Sequence, residues 1–66
     1  MGVVVLKLEP DSRAWHSGLR EQDFILSINR VRIQSLKDVE NVVARSSSGL
    51  LLKIRRGDSA LFLAIR

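Results

Sequence analysis

Gly18-Leu19-Arg20-Glu21-Gln22-Asp23-Phe24-Ile25-Leu26-Ser27-Ile28-Asn29-Arg30-Val31-Arg32-Ile33 decides the fold of this chain. Gly18 sits where a left-handed residue ends a helix, and Leu19 follows as the apolar contact that packs back on it. Arg20 to Asp23 is a polar connection. Phe24 to Asn29 reads as a strand, and Asn29-Arg30 as a tight turn, because Asn tolerates positive φ. Val31-Arg32-Ile33 alternates with period two and reads as a second, short strand. A helix stop, a strand, a tight turn and another strand within sixteen residues point to a small mixed α and β domain.

On the N-terminal side, Ser12 to Ser17 fits one or two helical turns, with Asp11 or Ser12 as the cap. Glu9-Pro10-Asp11-Ser12 is a turn in which Pro10 fixes φ. Gly2 to Leu8 is β-branched and apolar, with Lys7 breaking the run, and is predicted to be a mostly buried strand.

On the C-terminal side, Ser35 is a good N-cap and Asp38 stands three residues on, close to a capping box. The helix is predicted from Leu36 to about Arg45, with Leu36, Val39, Val42 and Val43 on one face. Ser46-Ser47-Ser48-Gly49 is a loop. Leu50 to Arg55 and Ala60 to Ile65 are strands joined by a hairpin turn in which Gly57 supplies positive φ. The predicted order is β, short α, β, β, α, β, β. That order describes an α+β partial β-barrel capped by one main helix and one short helix.

Composition limits the function. A chain of 66 residues is a single domain, 1–66, and buries only roughly 60% of its unfolded surface. There is no cysteine, so neither a disulfide nor a thiolate metal site is available. The net charge of +4 is dispersed and interleaved with acids, without the aromatic spacing that stacks bases. A small basic nucleic-acid binder is therefore a remote alternative. No segment approaches the roughly 20 apolar residues that cross a membrane, and Met1-Gly2-Val3 has no charged leader.

No residue set supports catalysis. His16, the one imidazole, neighbours Ser17, but adjacent helical positions point in different directions and form no dyad. One His without Cys cannot hold zinc, and no cofactor motif occurs, so no cofactor is expected. Trp15 suits either the small core or an exposed anchor for a partner.

The ordered set of elements resembles a known family. Gly2-Val3-Val4-Val5, Glu9-Pro10-Asp11-Ser12-Arg13-Ala14, Gly18-Leu19 and Asp23-Phe24-Ile25-Leu26-Ser27-Ile28-Asn29 look like the PDZ pattern GVxVxxVxxxSPAxxAGLxxGDxIxxIN. Arg56-Gly57-Asp58-Ser59-Ala60-Leu61-Phe62-Leu63-Ala64-Ile65-Arg66 is most similar to the end of the second PDZ domain of HtrA/DegP/DegQ-type periplasmic serine proteases. Three positions depart from the pattern: Arg13 replaces its Pro, Gln22 its Gly before Asp, and Arg30 the Gly often found after Ile-Asn.

The resemblance implies a non-catalytic peptide-binding module, with a serine endopeptidase as the parent chain and a periplasmic location. It implies unfolded polypeptides, protein C-termini and other domains of the parent as partners, for substrate capture or oligomer assembly. A stand-alone PDZ adaptor is the alternative. By family position the peptide-groove wall is Leu36, Glu40 and Val43, with Gly18, Asn29 and Gly57 as turn or cap residues. The family's carboxylate-binding loop precedes the position of Gly2. The strand Gly2 to Leu8 is therefore expected to be an open sheet edge that can mediate self-association.

Overall fold

The computed structural model describes residues 2–65. Met1 and Arg66, the last residue of the family-like ending, lie outside them. Seven elements follow in the predicted order: β1 Val3–Val4, α1 Arg13–His16, β2 Phe24–Ile28, β3 Val31–Arg32, α2 Leu36–Arg45, β4 Leu50–Arg56 and β5 Ser59–Ile65. The five strands form one antiparallel sheet in the order β1-β2-β4-β5, with β3 folded back on β2.

Local chemistry sets the element ends. The Ser12 hydroxyl accepts from the Trp15 N–H at 3.2 Å and starts α1. The Ser35 hydroxyl accepts from Asp38 N–H at 3.4 Å, and the Asp38 carboxylate accepts from Gln34 N–H at 2.9 Å, so α2 begins with a reciprocal cap. Ile28 pairs with Val31 across a two-residue turn in which both Asn29 (φ 50°) and Arg30 (φ 70°) are left-handed, the type I′ pattern. Gly57 has φ 62° in the β4–β5 turn, where Arg56 pairs with Ser59.

The strand predicted over Gly2 to Leu8 is much shorter. It pairs only as Val3 with Ile25 and Val4 with Phe24. Val5 still donates to Asp23 O at 2.8 Å and accepts from Gln22 N–H at 2.7 Å. Beyond Val5 there is no strand to pair with, because β2 starts at Phe24. Apolar sequence without a ladder partner does not make a strand, and Leu6 is left 74% exposed.

Leu19, Ile25, Ile28, Ile33, Val42, Leu52 and Ile54 form the buried core, with Val3, Val5, Leu8, Val39, Leu50, Leu61, Leu63 and Ile65 packed around it. α2 contributes Val42 fully and Val39 in part. The other face of β4 and β5 carries Leu51, Lys53, Arg55, Ala60, Phe62 and Ala64, all exposed.

Candidate functional site: the exposed face of helix α2

Leu36, Glu40 and Val43 sit together on α2, and all three are exposed. At 100° per residue, Val42 marks the core direction and Val39 lies about 60° round from it; Val43, Leu36 and Glu40 follow within about another 100°. The helix therefore has two apolar strips. One strip, Val39 and Val42, is consumed by the core. The second, Leu36 (63% exposed) and Val43 (44%), has no cover among the described residues. The four apolar residues assigned above to one face are thus divided between two jobs.

Beside the second strip lies an open hollow of about 340 Å³, lined by Arg13, Val43, Ser46, Ser47, Ser48, Gly49, Leu50 and Ile65. Val43 is the only one of the three wall residues that reaches it. Leu36 and Glu40 continue the same face toward the N-terminus of the helix. Glu40 places a carboxylate between Leu36 and Val43 along the helix, on the side of this face farther from the core.

Asn29 holds the C-terminal end of α2 against the sheet. Its amide donates to Ser46 Oγ at 2.9 Å and its carbonyl accepts from Leu51 N–H at 2.7 Å. Ser46 Oγ in turn donates to Val42 O at 2.7 Å. A residue assigned from sequence only to a turn thus also fixes the helix relative to β4. Gly18 has φ 111° and donates to Trp15 O at 3.0 Å at the end of α1. Gly57 is remote from α2.

Sequence reading missed the strongest polar contact. Asp23 is 1% exposed. Arg56 grips it with both arms, Nε to Oδ1 at 2.8 Å and Nη2 to Oδ2 at 2.7 Å. Arg20 N–H adds a bond at 2.8 Å, and Arg56 Nη2 also donates to Gly18 O at 2.8 Å. The Arg56 hydrogen bonds hold the Asp23 carboxyl below its ordinary value of 3.8, against the opposing pull of burial and with help from Arg20. The same bonds raise Arg56.

Trp15 is half-buried with the Arg20 guanidinium 3.9 Å over its ring, so it belongs to the surface of α1 rather than to the core. His16 is exposed and its Nε2 meets Asp11 Oδ1 at 2.8 Å. Ser17 Oγ donates to Arg13 O at 3.0 Å, so its hydroxyl is turned to the backbone of α1.

The fold is shared with known proteins. The PDZ domain family profile matches residues 4–56. The mitochondrial serine protease HTRA2 of Bos taurus is 39% identical over 97% of this chain, and the periplasmic serine endoprotease DegP of Salmonella typhimurium is 31% identical over 98%. The chain spans 14% of the length of each. Among solved structures, the HtrA3 PDZ domain bound to a phage-derived ligand, FGRWV, superposes with a TM-score of 0.90 at 28% identity, covering 97% of this chain and 57% of that one. The chain belongs to the PDZ domain family, with homology to the serine proteases of the HtrA/DegP group.

Proposed function

We propose that this chain is the peptide-contacting part of a periplasmic HtrA/DegP-type protease, in the position of its second PDZ domain, and that it binds rather than cleaves. The observation that carries the reading is the uncovered Leu36–Glu40–Val43 face of α2. An apolar helix face beside a hollow buries the side chains of an extended peptide, at about 25 cal/mol per Å² of apolar surface. Unfolded polypeptides and apolar C-termini are the fitting ligands. The exposed His16, paired to Asp11 while Ser17 faces its own backbone, supports a role in capture, with hydrolysis left to another domain of the parent. The open outer edge of β1, the first strand of the sheet, is where a further strand of the parent or of another chain can be added.

Fluorescence anisotropy of labelled FGRWV tests this. Leu36→Asp and Val43→Asp should each weaken binding roughly tenfold, the effect of losing about 1.4 kcal/mol of apolar burial. Glu40→Leu should strengthen it. Equal affinity for all three variants and the unaltered chain, with folding intact by circular dichroism, would remove α2 from the site.

A further inference from the structure

β5 is the last strand of the sheet, and its outer edge has no strand beside it among the described residues. Which backbone groups point outward follows from the turn. Arg56 and Ser59 flank a two-residue hairpin turn and exchange hydrogen bonds, so the bonded pairs continue as Ile54–Leu61, Leu52–Leu63 and Leu50–Ile65. Leu51, an intervening residue, obeys the same alternation on the other side, where its C=O accepts from Asn29 N–H at 2.8 Å. The N–H and C=O groups of Ala60, Phe62 and Ala64 therefore point away from β4. Six strong hydrogen-bonding groups stand in a row on an edge whose seven residues, Ser59–Ile65, include no charge, no Pro and no Gly. Such an edge lacks every usual device against strand addition.

We propose that a second copy of this chain pairs with the β5 edge in antiparallel fashion about a two-fold axis through Phe62. The outward row reads Ala60, Phe62, Ala64 and is the same in both directions, which is what an isologous contact requires. With Phe62 opposite its counterpart, Ala60 of each copy faces Ala64 of the other, and all six outward groups of each strand are satisfied. Any other two-fold register leaves some of them unpaired. Side chains fit the same register. Phe62 is 64% exposed on the outer sheet face. Its counterpart lies directly across, and the small alanines on either side leave room for the two rings. On the inner face, half-buried Leu61 meets Leu63 of the other copy and extends the core across the junction. The β1 edge has only two laddered residues and is the weaker template.

Sedimentation equilibrium from micromolar to millimolar, with amide exchange on the same samples, tests the proposal. The mass should rise from 7.4 kDa toward twice that value. The Ala60, Phe62 and Ala64 amides should become protected as it does. Ala60→Lys or Ala64→Lys should return the mass to that of one chain. Combining Ala60→Glu with Ala64→Lys should restore the dimer, because the two changed residues face each other only across the two-fold axis. Within one strand they stand about 13 Å apart. Thermal unfolding of each variant serves as the folding control. A single-chain mass at every concentration with fast exchange at these amides overturns the proposal. So does a dimer that ignores Ala64→Lys, or one whose protection gathers at Val3 and Val4.

Discussion

Gly18 and Gln22 lie four residues apart and both have positive φ, 111° and 77°. Glycine meets that demand without a Cβ; glutamine meets it with one, at a cost of roughly 1 kcal/mol. A Cβ on Gly18 would also come within 3.2 Å of Leu63 Cδ2. Gly18→Ala should therefore lower stability by about 1–2 kcal/mol, and Gln22→Gly should raise it by up to about 1 kcal/mol. Urea unfolding midpoints for the two variants should move in opposite directions. A shift of the same sign in both would mean that these backbone angles do not carry the strain. The departure at Gln22 was visible from the family pattern; its left-handed angle is the physical reason a glycine suits that place.

Asp23 and Arg56 join three elements: Arg56 at the end of β4 reaches the carboxylate that leads into β2 and the carbonyl that ends α1. Asp23 is buried while the Arg56 side chain is 44% exposed, so water can partly replace the arginine. Arg56→Met should cost about 3 kcal/mol, the low end for one partner lost from a buried pair. The pH dependence follows from the depressed carboxyl. The folded state binds this proton more weakly than the unfolded state. The pair's contribution is therefore complete above the ordinary value of 3.8 and is lost as pH falls below it. Stability measured against Asp23→Asn should differ most near neutrality, and the gap should close in acid. A gap that stays constant down to strong acid would contradict the pairing. No local pattern announced this contact, because its partners are 33 residues apart and an arginine beside a turn reads as solvated surface. Element order and the approximate span of α2 were legible from periodicity and caps, since both are encoded within a few residues. β1 was overextended because an apolar run does not say how far its partner strand reaches.

Among the described residues the molecule is a sheet with a core on one face, a helix whose second apolar strip is uncovered, and outer edges at β1 and β5 with no strand beside them. Sequence placed Leu36, Glu40 and Val43 on a common helical face, since a wheel needs only spacing. It could not say that Val42 and Val39 alone would satisfy the core, which depends on where the sheet lies under α2. Exposure of Leu36 and Val43 is thus the finding on which the peptide-binding reading depends. It is tested most directly by titrating the ¹⁵N-labelled chain with a short peptide ending in valine and following the backbone amides. The account predicts that the largest shifts fall on residues 36–43 and on the adjoining Leu50 and Ile65. No shifts on α2, or shifts gathered instead on the opposite sheet face around Lys53 and Phe62, would contradict it.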